Sequence, residues 1–235
     1  MNIGEIVKDS LRYPFSDWKK FLIFAVIVLM GMLLPHFASI FGYLALIILI
    51  IGFLIQILEY GYWFRIIKSS LNGSMKPPEF NTWSNMFKDG ISMFIILFIY
   101  LIPAYLIIFL TEALPSLSSG IILAIVYFII ILPIIAVEVV QMADDNIDSK
   151  MFQIREIIKK ICILGANRFI KWYLTTGVIF LIILALGIGA VMVVEKLTFS
   201  MIGTIMFWLL VFPYLSMYLT RSIALIFQRK NNQDK

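Results

Sequence analysis

Long apolar segments alternate with short polar segments along most of the chain. Uncharged stretches run over residues 21–58, 90–111, 113–137, 172–194 and 197–220. A helix needs about 20 residues to cross a bilayer core that is about 30 Å thick. Each of the last four stretches therefore predicts one transmembrane helix.

The first uncharged stretch is almost twice as long as one crossing requires, so the chain has to reverse direction within this stretch. The turn signal is the segment 35–39, with the sequence PHFAS, followed by Gly42. The first leg is expected to begin near Ser16, a good helix N-cap residue. This hairpin brings the predicted total to six transmembrane helices.

Composition supports a membrane protein. Hydrophobic residues make up 62% of the chain and charged residues only 14%, whereas soluble domains carry about 25% charged residues. A soluble domain of this composition could not cover its own surface with polar groups, so lipid is the expected solvent.

Basic residues predict the orientation. Of the 19 Lys and Arg residues, all but Lys196 lie in the N-terminal segment, the loop 59–89, the loop 141–171 or the segment after the last helix. The positive-inside rule therefore places both termini in the cytoplasm of a multi-pass protein in the cell membrane. These loops also account for the net charge of +5, and no basic stripe outside them predicts a nucleic-acid partner.

Three amphipathic segments precede the odd-numbered transmembrane helices. Their apolar faces carry Ile3, Ile6, Val7 and Leu11; Trp63, Ile66, Ile67 and Leu71; and Ile154, Ile157, Ile158 and Ile161. Basic residues lie on the opposite faces. This pattern is typical of helices in the headgroup plane, with the basic face toward anionic lipid.

A Phe-x-x-Trp pattern follows each amphipathic segment, as Phe15/Trp18, Phe80/Trp83 and Phe169/Trp172. We interpret Trp18, Trp83 and Trp172 as interfacial anchors. The pattern predicts three pseudo-repeats, at about 1–58, 59–140 and 141–227, and a disordered basic tail at 228–235. The alternative is that any interfacial helix followed by a hairpin produces such a likeness.

The predicted fold is all-α within a single membrane domain. Six transmembrane helices form three hairpins, and each hairpin is preceded by a cytoplasmic interfacial amphipathic helix.

One stretch of the second unit carries a family pattern: Gly61-Tyr62, Arg65-Ile66-Ile67, Gly73, Pro78-Glu79-Phe80, Trp83, Phe87-Lys88-Asp89-Gly90 and Tyr100 to Pro103. It resembles the archaeal membrane-protein family catalogued as domain of unknown function 4013, most clearly over residues 60–103. The resemblance implies an archaeal cell membrane and supplies no activity.

One polar cluster is predicted. If the repeats pack around an axis, Glu59, Glu138 and Arg221 lie at a similar depth near the inner face, where one Arg between two Glu would limit the cost of burying charge. An alternative for Glu138, five residues after Pro133, is a cation or proton site. A third interpretation is that Glu138 simply reaches the interface.

The candidate chemistry is sparse. His36 and Cys162 are the single His and Cys, and the predicted topology puts them on opposite sides of the membrane. We therefore predict no zinc or other metal site, no catalytic residue and no cofactor.

Three functions remain open. The first is a non-enzymatic module that organises lipid, assists assembly or binds another membrane protein. The second is a transporter or channel for a hydrophobic or lipid-like substrate, because polar residues are nearly absent from mid-span positions. The third is an intramembrane enzyme, for which no set of catalytic groups can be assembled. The expected partners are membrane lipids and another membrane protein, and not nucleic acid.

Overall fold

A computed structural model describes residues 1–38, 40, 42–113, 120–145, 154–198 and 201–228. Within these ranges lie nine α-helices: α1 Ile3–Arg12, α2 Trp18–Ala38, α3 Ala45–Leu71, α4 Trp83–Ala113, α5 Gly120–Asp145, α6 Ile154–Leu164, α7 Ala166–Thr198, α8 Ile202–Met206 and α9 Phe212–Phe227. A π-helical stretch, Phe207–Val211, joins α8 to α9. The predicted disordered tail, apart from Gln228, lies outside the described residues.

Six segments among the described residues are long and apolar enough to cross a membrane: Trp18–Ala38, Gly42–Leu71, Trp83–Thr111, Ile122–Asp144, Ala166–Thr198 and Ile202–Phe227. The prediction of six transmembrane helices is confirmed, and the protein is a multi-pass helical membrane protein. Because successive segments are antiparallel, α1, the loop 72–82 and α6 all lie at one end of the bundle. We call this the basic end, since almost all Lys and Arg residues in the described part of the chain lie there.

The first hairpin turns later than predicted. Helix α2 continues through Pro35 to Ala38, and Gly42 then takes a left-handed backbone conformation with φ of 54°. Pro35 has no N–H, so the carbonyl of Gly31 loses its usual helical donor. The Gln56 Nε2 of α3 donates to this carbonyl at 3.5 Å. The neighbouring helix thus compensates for the proline inside α2.

The second amphipathic segment is not a separate helix. Helix α3 continues without a break to Leu71, so the predicted interfacial helix before the second hairpin is wrong. Its apolar residues Ile66 and Ile67 are buried within the protein. Only the first and third amphipathic segments form separate helices among the described residues, as α1 and α6.

Helices α3 and α4 cross with their backbones in contact. A Cβ added at Gly61 would collide with the Met86 carbonyl of α4, and a Cβ added at Gly90 would collide with the Ile57 carbonyl of α3. Small residues permit such close approach of membrane helices. These two glycines therefore fix the spacing of the α3/α4 pair.

Helix α9 is central to the basic half of the bundle. Ala224 packs in an apolar cluster with α3, α4 and α5. Leu225 and Ile226 pack in a second cluster with α1, α5, α6 and α7. Met217 packs in a third cluster with α2, α3 and the start of α4. One helix thus connects all three hairpins.

Helix α1 docks on the bundle through one side. An Asn2–Glu5 capping box starts the helix, with both hydrogen bonds at 2.8 Å. Ile6 is fully buried in the cluster that contains Val137, Trp172 and Leu225. Ile6 belongs to the apolar face of α1 that was predicted to lie on the membrane, and it packs against the basic end of the bundle.

Candidate functional site at the basic end

Arg221 lies at the centre of a buried polar cluster. Its side chain projects from α9 and is only 3% exposed. Its Nε donates to Asp9 Oδ1 of α1 at 2.7 Å, and its Nη1 donates to the Ser74 carbonyl at 2.5 Å. The Tyr13 ring lies against the guanidinium, whose carbon is 4.7 Å from the ring centroid. The Arg221 side chain thus connects α9 to α1, to the turn that follows α1 and to the loop 72–82.

The energy of this cluster comes from the low-dielectric position of the guanidinium. Removing an arginine from water is costly unless its donors are satisfied. Here a carboxylate, a carbonyl and an aromatic face satisfy it. Asp9 remains about one-third exposed, so solvent screens its side of the pair. The loss of Arg221 therefore costs more than the isolated ion pair is worth.

The loop 72–82 is held by two further cations through its backbone. Arg65 of α3 donates to the Asn81 carbonyl at 2.5 Å and to the Thr82 carbonyl at 2.8 Å. Thr82 has the unusual φ of 48°, and its hydroxyl also accepts from Arg65 at 2.7 Å. Lys20 of α2 donates to the Pro77 carbonyl at 2.8 Å. Three helices therefore determine the path of one loop.

Tyr62 of α3 contacts the same loop through its ring and its hydroxyl group. Its ring stacks on Phe80 with centroids 4.3 Å apart and an interplanar angle of 10°. Its hydroxyl donates to the Pro78 carbonyl at 3.3 Å. Phe80 in turn contacts Trp83, the first residue of α4. The polar and aromatic contacts together set the position at which α4 begins.

A family model matches residues 44–194, which is more than half of the chain. The chain belongs to DUF4013. DUF4013 is described as a family of proteins of unknown function. No curated protein and no solved structure matches the chain.

The DUF4013 match includes two residues that hold the loop 72–82, Tyr62 and Arg65, and the glycines of the helix crossing, but neither Lys20 nor Arg221. Gly61, Tyr62, Arg65 and Gly90 all lie within the matched residues, whereas Arg221 lies beyond them. The residues that suggested the resemblance therefore have a physical role in this member of DUF4013. They close the α3/α4 crossing and fix the loop between the two helices.

The cluster of Arg221 with Glu59 and Glu138 stays a prediction for this DUF4013 protein. Both glutamates are buried, and Glu138 lies close enough to Tyr100 of α4 to interact with it electrostatically. Among the described residues, the carboxylate that pairs with Arg221 is Asp9. The predicted cluster assumed that the even-numbered helices repeat one another, and it did not anticipate that α1 would dock across α9.

Sequence reasoning missed Asp9, Tyr13 and Ser74. The available signal was weak: Asp9 follows Ile6 by three residues and precedes Tyr13 by four, so the three share one side of a helix. Nothing in the sequence indicated that this side contacts α9. Ser74 contributes only a backbone carbonyl, which any residue could supply.

The three Phe-x-x-Trp pairs are ring contacts in the structure, with centroids 5.9, 6.1 and 5.4 Å apart in chain order. Trp18 and Trp83 are about half exposed at the starts of α2 and α4, and their interfacial anchoring stays a prediction. Trp172 is 2% exposed, and its Nε1 donates to Ser222 Oγ at 2.9 Å. Trp172 therefore packs inside the bundle, and its assignment as an interfacial anchor is corrected.

The cluster makes a pH-dependent prediction. Burial raises the pKa of Tyr13, although the nearby Arg221 opposes this effect. The unfolded tyrosine ionises at about pH 10, so the neutral form stabilises the fold below that pH and the contribution is lost as pH rises above it. In thermal melts from pH 8 to 11, wild type should lose stability above pH 10 more steeply than Tyr13→Phe.

Equal slopes for Tyr13→Phe and wild type would contradict the burial of Tyr13 against Arg221.

Proposed function

We propose that this membrane protein is a non-enzymatic module that binds another membrane protein, and that α7 is the helix that receives the partner. The observation that carries the proposal is the exposure of α7. Only 6% of the most apolar 18-residue segment of α7 is buried inside the protein. In the span Ile122–Asp144, 39% of the corresponding segment is buried. A long apolar helix is thus attached to the bundle mainly along one edge.

A comparison of glycines supports a protein partner over lipid alone. The space beside Gly187 of α7 is occupied by another part of the chain, since an added Cβ would lie 2.5 Å from Val211 Cγ1. Gly189, two residues further on, is exposed, and an added Cβ would meet nothing within 4 Å. A glycine in a helix interior costs about 1 kcal/mol relative to alanine. Close approach of an external helix would offset that cost.

The polar contacts at the basic end support a non-enzymatic role. Arg221, Arg65 and Lys20 each donate to backbone carbonyls of the loop 72–82. These cations are used to hold the chain in place. The described basic end therefore stabilises the bundle, and α7 remains accessible within the membrane.

Photo-crosslinking tests the proposal. A photoreactive amino acid at Leu186 or Met192 lies beside Gly189 on the exposed side of α7. Irradiation in the native membrane should give one discrete protein adduct from both positions. The same amino acid at Phe109, an exposed position of α4, is the control and should react with lipid. Lipid adducts alone from all three positions would refute a partner at α7, and a dimer of this chain would identify a second copy as the occupant.

A shallow open groove is the feature that fits the alternative function, handling of a lipid-like substrate. It has a volume of about 190 Å³ and is lined by Ile188, Val191, Thr204 and Phe207. It lies beside the π-helical stretch, a distortion that often occurs at functional sites. A specific lipid retained through purification without a protein partner would support this alternative.

A further inference from the structure

Helix α6 has two apolar sides, and only one of them is used by the protein. Ile157 is buried in the cluster with Phe169 and Trp172, and Ile161 and Leu164 pack against the same cluster. On the side away from this cluster, Ile158 is 55% exposed and Ile163 is 78% exposed. Cys162 is exposed between them. The fold of the described residues leaves this outer ridge uncovered.

The connection to α7 fixes the depth of this ridge. Gly165 turns the chain with φ of 91°, and its N–H donates to the Cys162 carbonyl at 3.1 Å. Helix α7 begins at the next residue and continues as a membrane-spanning segment. A short connection leaves α6 at the level where α7 enters the membrane. We therefore expect the ridge to lie at the bilayer surface.

Positive charge accompanies the exposed isoleucines. Lys159 is exposed on the same outer side of α6, and Lys171 is exposed in the first turns of α7. Long lysine side chains can place their ammonium groups at the headgroup level while their stems cover apolar surface. Apolar residues flanked by lysines are complementary to an anionic lipid surface.

We propose that the outer ridge of α6, formed by Ile158, Lys159, Cys162 and Ile163 and extended by Lys171, is a docking surface for anionic phospholipid. Ile158 and Ile163 insert among the parts of the acyl chains nearest the headgroups, and the two lysines contact headgroup phosphates. This surface is independent of the α7 face, so its failure would leave the proposed partner binding untouched.

The single cysteine of the chain provides a direct test. Full-length protein is labelled at Cys162 with an environment-sensitive fluorophore and reconstituted into nanodiscs, which leave both bilayer faces accessible. Quenching is measured with iodide in the water and with nitroxide-labelled lipids in the bilayer. The matched control carries the label at an exposed polar position of α1, as Lys8→Cys in a Cys162→Ser background.

The label at Cys162 should be quenched by the nitroxide lipids and protected from iodide, and the label at position 8 should show the reverse. Quenching of both labels by iodide alone would overturn the proposal. Protection of Cys162 from both quenchers, with energy transfer between labelled copies, would also overturn it and would identify a second copy of the chain as the occupant.

The preference for anionic lipid has its own readout. Nitroxide-labelled phosphatidylglycerol should quench the Cys162 label more strongly than nitroxide-labelled phosphatidylcholine, and high salt should reduce the difference. Lys159→Gln and Lys171→Gln should each lower this preference by roughly fivefold. Equal quenching by the two lipids in wild type would overturn the anionic part of the proposal.

Discussion

Replacing Gly90 by alanine is expected to destabilise the protein by about 3 kcal/mol, near the upper end of the usual cost of overpacking. The new Cβ would collide with the Ile57 carbonyl of α3, and a backbone group cannot rotate away as a side chain does. The two helices have to separate, which also disturbs the contact of Gly61 with Met86. The measurement is the thermal unfolding midpoint in detergent.

The matched control is Gly189→Ala, which also adds one methyl group to a glycine inside a membrane helix. Its added Cβ meets nothing within 4 Å, so helix propensity alone acts and the midpoint should stay the same or rise. A similar loss of stability in both variants would show that the α3/α4 crossing is not the cause.

Arg221→Leu should lower stability by about 3 kcal/mol, the low end of the cost of removing one partner from a buried ion pair. The variant leaves the Ser74 carbonyl without its donor and Asp9 without its cation. We expect α1 to detach first, because Asp9 is the α1 side chain paired with this arginine. Faster hydrogen exchange in α1 and in the loop 72–82, together with a lower melting midpoint, would report this.

A second-site test distinguishes two arrangements of charge. Asp9→Asn should partly rescue Arg221→Leu, because it removes the carboxylate left without a cation. Glu59→Gln and Glu138→Gln should not rescue it. The opposite result would support the cluster of Arg221 with the two glutamates that the repeat pattern predicted.

The sequence predicted the transmembrane helices well because lipid imposes a simple physical requirement. A span must be long, apolar and almost uncharged, and that information is local. The first turn was less predictable. Pro35 usually ends a helix, but Gln56 of α3 donates to the carbonyl that the proline frees, and this compensation depends on a tertiary contact.

The same distinction explains the candidate site. Residues 63–71 have the pattern of an interfacial helix, yet no local signal shows whether such a pattern covers lipid or protein. Helix α3 continues through this segment, and Gly61 packs on α4. Likewise, Arg221 was recognisable as an intramembrane charge that needs a partner. That the partner is Asp9, more than two hundred residues earlier, follows only from the docking of α1.

The most direct test of the proposed function is gentle purification of the protein from its native membrane, in parallel for wild type and Gly189→Leu, followed by mass spectrometry of intact complexes. Wild type should retain one membrane protein in stoichiometric amount, and Gly189→Leu should lose it while its partner-free chain melts at or above the temperature of partner-free wild type. A partner that remains bound to Gly189→Leu, or wild type that retains lipid alone, would contradict partner binding through α7.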